Sequence, residues 1–162
     1  MEKDKDRKSA SKLPIPVRIS EQVWDDEAPP FLSICCITYN HSKFINKSID
    51  SFLMQETSFP VEIIIRDDAS TDGTQNIIKD YAKKYPHLIK TILHSENQFK
   101  KSKRAFPETY SVARGYYIAL CEGDDCWTDI SKLQKQVYLL QQNPTASFCF
   151  HNTLIVNEKM EV

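Results

Sequence analysis

Phe31-Leu32-Ser33-Ile34-Cys35-Cys36-Ile37 is apolar at nearly every position and runs into the polar triplet Thr38-Tyr39-Asn40. A strand that meets water on one side alternates apolar with polar residues. A nearly continuous run is expected of a strand covered on both faces, as in a parallel sheet. Just downstream, Ile45, Ile49, Phe52 and Leu53 are spaced to fall on one face of a helix, which Asn40 or Ser42 is placed to cap. Val61-Glu62-Ile63-Ile64-Ile65 reads as a second strand, stopped by Asp67-Asp68. The turn cluster Ala69-Ser70-Thr71-Asp72-Gly73-Thr74 then opens a second helix, with Ile77, Ile78, Tyr81 and Tyr85 on one side and Pro86 closing it. Leu88 to Leu93 is a third strand.

Strand, helix, strand, helix, strand in this order predicts right-handed crossovers and an α/β fold. Its central sheet is mostly parallel, with helices on both faces. From His94 to Pro107 the chain is polar and basic, with Lys100, Lys101, Lys103 and Arg104 close together; this is read as a solvated charge run. Glu108 to Arg114 is expected to be a short helix. Tyr116-Tyr117-Ile118-Ala119-Leu120 reads as a buried strand that delivers the acidic cluster Cys121-Glu122-Gly123-Asp124-Asp125-Cys126-Trp127. A helix follows over Ser131 to Gln142, aligned on Leu133, Val137 and Leu140 and ended by Asn143-Pro144. Ala146 to Val156 is expected to form one more strand. Residues 1–30 stand apart as a charged tail (Met1 to Lys12) and an extended lead-in whose Val17, Ile19, Val23 and Trp24 pack on the domain's edge. The domain itself is read as 31–162.

Composition narrows the function classes. With 41% hydrophobic residues and a formal charge of -1, the 162-residue chain has no global field for nucleic acid, which is not expected as a partner. No apolar run approaches the roughly 20 residues that span a bilayer. The N-terminus lacks a secretory apolar core, so a cytoplasmic location is expected. The five cysteines form no Cys-x-x-Cys pair, and they read as free thiols rather than zinc ligands. The four histidines show no ligand spacing, and neither a dinucleotide fingerprint nor a phosphate-loop lysine motif is present.

Parallel strands share a direction, so their C-terminal ends lie on one rim, where open α/β sheets bind ligands. Three such ends are polar here: Thr38-Tyr39-Asn40, Asp67-Asp68 and Glu122-Gly123-Asp124-Asp125. Tyr39 offers a flat face for a base, or is simply a rim aromatic. Asp68 can accept from a base imide or a sugar hydroxyl, or cap the next helix. Asp124 and Asp125 are adjacent, so their side chains diverge. One can hold a ribose hydroxyl while the other holds Mg2+ or Mn2+, although Asp124 also suits a turn before Trp127. Gly123 leaves a ligand room to approach the backbone.

These three motifs, in this order and spacing over residues 31–156, resemble the family-2 glycosyltransferases. The resemblance implies the Rossmann-like GT-A fold, a nucleotide diphosphate sugar donor of the UDP type, and a divalent metal. It implies that Thr38 and Tyr39 flank the nucleotide and that Asp68 bonds the base. Asp124 and Asp125 would supply the DXD function, Asp124 toward ribose or sugar and Asp125 as the metal ligand. It further implies a hexosyltransferase-like enzyme of polysaccharide biosynthesis. The acceptor would be a saccharide or a lipid-linked molecule, the latter compatible with a peripheral place at a membrane. Relatives continue through an acceptor-binding half that carries an acidic catalytic base. No Asp or Glu here matches that base, since Glu158 and Glu161 lie in the terminal stub. The chain therefore reads as a donor-binding portion truncated at its C-terminus, the alternative being a catalytically incomplete nucleotide-binding fragment.

Overall fold

A computed structural model describes residues 15–24, 29–101 and 104–157. The readings of Met1 to Lys12, Lys103, Glu158 and Glu161 lie outside the described residues. The elements run β1 (Val17–Arg18), β2 (Leu32–Thr38), α1 (Ile45–Leu53), β3 (Glu56–Thr57), β4 (Val61–Asp67), α2 (Thr74–Lys84), β5 (Ile89–Leu93), α3 (Ala105–Val112), β6 (Tyr117–Glu122) and α4 (Lys132–Gln142). Four strands form one parallel sheet in the order β5-β4-β2-β6. The short β1 and β3 pair antiparallel beside it, which is how the lead-in docks, with Ile19 fully buried; Val23, expected to pack there too, is instead exposed.

Side chains alternate across a strand, so the two central strands divide their residues between two faces. Ile34, Cys36, Ile63 and Ile65 join the main core with Ile45, Ile49 and Phe52 of α1, Ile78 of α2, and Leu133 and Val137 of α4. The opposite face carries Ser33, Cys35, Glu62, Ile64 and Arg66, and α3 packs on β2 and β4 there. That second face is buried yet partly polar. Burying such groups is tolerated only where hydrogen bonds satisfy them. Glu62 meets this need at one end: Oε1 accepts from Ser33 Oγ (2.7 Å) and Arg114 N (2.7 Å), and Oε2 accepts from Lys90 Nζ (2.8 Å) and Arg114 Nε (3.3 Å). β6 enters close beside it, because a Cβ on Gly115 would lie 2.4 Å from the Ser33 backbone nitrogen.

Four expectations are corrected. The β6 run is not a buried strand: Tyr116, Ile118 and Leu120 are about half exposed, while Tyr117, Ala119 and Cys121 face the core. β6 is an edge strand and α3 covers β2 and β4, so one side of β6 stays open. The short helix begins at Ala105, not Glu108, despite Pro107; a proline in a helix's first turn costs no hydrogen bond. Residues 146–157 contain no strand. Their apolar Phe148, Phe150, Leu154 and Ile155 are strongly exposed and find nothing to pair with among the described residues. Neither Asn40 nor Ser42 caps α1; the His41 carbonyl accepts from Phe44 N and Ile45 N, both at 2.9 Å. Among the described residues no helix is long and apolar enough to cross a membrane.

Candidate functional site

The register brings the three polar strand ends to one rim, pairing Thr38 with Asp67 and Ile37 with Glu122. Backbone bonds continue past the strands, from Asp68 N to Thr38 O (3.0 Å) and from Gly123 N to Ile37 O (2.8 Å). The loops after β2 and β4 are then laced together. Asn40 N donates to Ser70 Oγ (2.8 Å), Thr71 N to Asn40 Oδ1 (2.9 Å), and Ser42 N to Asp72 Oδ2 (2.9 Å). Asn40 and Ala69 take left-handed backbone, with φ of 55° and 65°, to make this turn. Burial would push the Asp72 carboxyl up, but hydrogen bonds from Thr74 and Ser42 win and hold it well below the usual carboxylate range.

The two adjacent aspartates behind β4 have separate jobs. Asp67 is wholly buried and pins its own loop, accepting from Ser70 N (2.9 Å), from Ser70 Oγ, and from Gln75 Nε2 (2.6 Å). Asp68, also buried, does not cap α2; it turns to the basic stretch after β5. Its Oδ1 accepts from Arg66 Nη2 (3.1 Å) and Gln98 N (2.9 Å), and Oδ2 from Phe99 N (3.1 Å). Burial works against its charge, yet these donors keep its carboxyl below the ordinary value. Arg66, 2% exposed, forks between two carboxylates, its Nε lying 2.6 Å from Glu108 Oε2 of α3. His94 Nε2 meets the same Glu108 oxygen at 2.9 Å. One buried cation thus ties the end of β4, the stretch after β5 and α3 together.

The acidic turn is fixed from below. Asp125 N donates to Glu122 O (3.2 Å), and Ser48 of α1 donates its hydroxyl to the Gly123 carbonyl (2.8 Å). Gly123 is not there to make room for a ligand. A Cβ on it would lie 2.5 Å from Thr38 Oγ1, 2.6 Å from Thr38 Cβ and 3.1 Å from His41 Nδ1, so its missing side chain is taken up by the neighbouring strand and loop. Asp124 and Asp125 project into solvent at the rim, with His41 Nδ1 3.7 Å from Asp124 Oδ1. Thr38 Oγ1 and His41 Nδ1 are buried atoms with no hydrogen-bond partner among the described residues. Tyr39 stands at the rim, 41% exposed. Behind the turn, Trp127 packs on Phe52 and carries Lys132 Nζ 4.0 Å above its ring. Burial pushes the Lys132 ammonium down to about 8.

Thr38, Tyr39, Asp68, Asp124 and Asp125 therefore share one rim, with Asp68 on the α3 side and the acidic turn on the other side of β2. No three His, Cys, Asp or Glu side chains among the described residues converge enough to enclose a metal ion. A small hard dication needs no such cage, being held commonly by one or two carboxylates with phosphate oxygens and waters. The exposed Asp124 and Asp125 fit that mode. Sequence reasoning missed Arg66, Glu108, His94, His41 and Ser48. Of these, Arg66 carried a readable signal, since a cation closing a buried apolar strand needs a carboxylate partner.

The family model for glycosyl transferase family 2 matches residues 33–159. Rv1520, an uncharacterized protein of Mycobacterium tuberculosis, is 47% identical over 127 residues, covering 78% of this chain and 36% of the relative. The chain thus spans little more than a third of that relative's length. Among solved structures, the mannosyltransferase PcManGT from Pyrobaculum calidifontis, in complex with GDP-Man and Mn2+, superposes with a TM-score of 0.59 at 23% identity, over 75% of this chain and 36% of that one. TarS from S. aureus in complex with UDP-GlcNAc gives 0.56 at 24% identity, over 68% and 31%. At these identities the likeness is one of fold, and the fold is that of GT-A glycosyltransferases.

Proposed function

The chain belongs to glycosyl transferase family 2, and from that premise we propose that its rim is the donor site of an enzyme moving a sugar from a nucleotide diphosphate sugar to a saccharide or lipid-linked acceptor. The observation that carries the reading is the meeting of Thr38, Asp68 and the Glu122–Asp125 turn on one sheet edge, with two orphaned polar atoms beside the acids. Tyr39 and Thr38 line the nucleotide, Asp68 bonds the base, Asp124 bonds ribose or sugar, and Asp125 holds Mg2+ or Mn2+. Bound there, the ion supplies positive charge against the leaving diphosphate. Thr38 Oγ1 and His41 Nδ1 complete their hydrogen bonding when the donor or its waters arrive. None of the described carboxylates is assigned as the base that deprotonates the acceptor.

Calorimetric titration of UDP with and without MnCl2 tests the donor site. Binding should require manganese and should be lost in Asp125→Ala. Equal binding by that variant, or metal-independent binding, refutes the assignment. Whether bound donor is also turned over is read separately, by following release of UDP from UDP-sugars; binding without release leaves a nucleotide-binding module.

A further inference from the structure

Of the two orphaned polar atoms at the rim, Thr38 Oγ1 and His41 Nδ1, the second has a carboxylate beside it. His41 Nδ1 is buried, and Asp124 Oδ1 stands 3.7 Å away. That spacing is too long for a hydrogen bond, whose N···O distance centres on about 2.9 Å. We propose that His41 is a positioning residue of the donor site: as the donor binds, its Nδ1–H engages Asp124 Oδ1 and fixes the carboxylate that meets ribose or sugar. This rests on the donor-site reading above.

His41 sits on backbone that is held fast. Its neighbours on both sides are bonded across to the loop after β4, Asn40 N to Ser70 Oγ (2.8 Å) and Ser42 N to Asp72 Oδ2 (2.9 Å). Its own carbonyl takes Phe44 N and Ile45 N at the start of α1. Nδ1 also lies against the acidic turn, 3.1 Å from where a Cβ on Gly123 would stand. Asp124 is the less constrained partner, with its side chain 45% exposed. The gap therefore closes by movement of the acid toward the ring.

An N–H kept from water and left unpaired is unfavourable, and a carboxylate is a strong acceptor for it. The imidazole tautomer is set by the bond its nitrogens can make, and here the acceptor within reach of Nδ1 is Asp124. A shift of about 1 Å in Oδ1 brings the pair to bonding distance. One carboxylate oxygen is then engaged by His41, and the other is left for a donor hydroxyl. Asp124 also loses less rotamer freedom on binding when His41 has already limited it. This is how outer partners commonly serve the groups that touch a ligand.

The test is calorimetry on the full chain at fixed MnCl2, with UDP and UDP-glucose as probes, read on whichever of the two Asp124→Ala weakens. His41→Ala should weaken binding roughly 10-fold, the lower end for loss of an outer partner. His41→Asn, whose Nδ2 falls where the ring Nδ1 stands, should recover most of that loss. In the Asp124→Ala background, adding His41→Ala should cost less than about twofold, because the group His41 acts through is gone. If the alanine variant does not fold, His41→Gln takes its place, since its amide reaches toward the Nε2 position instead. Asparagine binding as weakly as alanine or glutamine, or the same loss in both backgrounds, overturns the inference and leaves His41 a packing residue. Asp124→Ala without effect on either probe overturns it too. No manganese-dependent binding of either probe by the wild-type chain refutes the donor-site reading itself.

Discussion

Removing the Glu62 carboxylate should destabilise the fold, and the cost can be built from its partners. Ser33 Oγ and Arg114 N both end on Oε1. On Oε2 the partners are Lys90 and the Arg114 guanidinium, side chains 45% and 47% exposed that can turn to water instead. Glu62→Gln can keep its oxygen toward Ser33 and Arg114 N and lose only the charge-assisted pair, at about 1–2 kcal/mol. Glu62→Ala strips the acceptor from all four donors, two of them on a buried face, and should cost about 3–5 kcal/mol. Burial opposes the Glu62 charge, but Lys90, Ser33 and Arg114 together set its carboxyl below the ordinary value. A depressed carboxylate stabilises the fold above its unfolded pKa, about 4.3, and that contribution fades as pH falls through the folded value. The Glu62→Gln deficit should therefore be full at pH 7 and shrink below about pH 4. Urea unfolding of the three proteins at both pH values measures it. Glu62→Ala within 0.5 kcal/mol of wild type, or Gln as damaging as Ala, would refute the reasoning.

Gly123→Ala places a methyl 2.5–2.6 Å from Thr38 Oγ1 and Cβ; it should destabilise by about 1–3 kcal/mol in urea unfolding and weaken manganese-dependent UDP binding. Asp72→Ala removes the acceptor shared by Ser42 N and Thr74 and unlaces the loops, so hydrogen exchange at Ser42 should accelerate while the sheet amides stay protected. Lys132 should lose its proton near pH 8 and with it the cation above Trp127, giving a fluorescence step absent from Lys132→Met. Because its unfolded pKa is near 10.4, the unfolded chain binds more protons between about pH 8 and 10, and stability should rise with pH across that window through this group.

The sheet was legible because its strands obey a simple rule. Doubly covered strands are nearly continuous in apolar residues, and the Ile34–Ile37 and Ile63–Ile65 runs are, so their parallel pairing and the shared rim of Thr38, Asp68 and Asp125 followed. β6 was misread for the same reason in reverse: Tyr117–Glu122 is just as apolar, but composition does not say that α3 stops short of it. The segment 146–157 has strand-like residues and no neighbour to pair with among those described, and a strand is a property of two segments, not one. Gly123 was assigned to the ligand because a glycine beside acids at a rim invites it. The space it vacates belongs to Thr38 and His41, which lie far away in sequence and close at the rim.

The polar face of β4 explains how this part of the rim is held in place. Glu62 and Arg66 fall on the same side of β4, one toward each end, and Asp68 follows just past it, bonded to Arg66. Hydrophobic residues there would bury as much area, but they would set no direction for the stretch after β5. Glu62 fastens the entry of β6 through Arg114, and Arg66 fastens α3 through Glu108. Asp68 fastens the Gln98–Phe99 amides. A carboxylate placed at the end of such a series arrives with its orientation already fixed by its neighbours. The same logic predicts where the rim loosens. Glu108→Ala leaves Asp68 untouched but frees the Arg66 Nε arm, so hydrogen exchange at the Gln98 and Phe99 amides should accelerate while the β2 and β4 amides stay protected; unchanged exchange at Gln98 and Phe99 with a fall in stability would show that the Arg66 fork holds α3 alone.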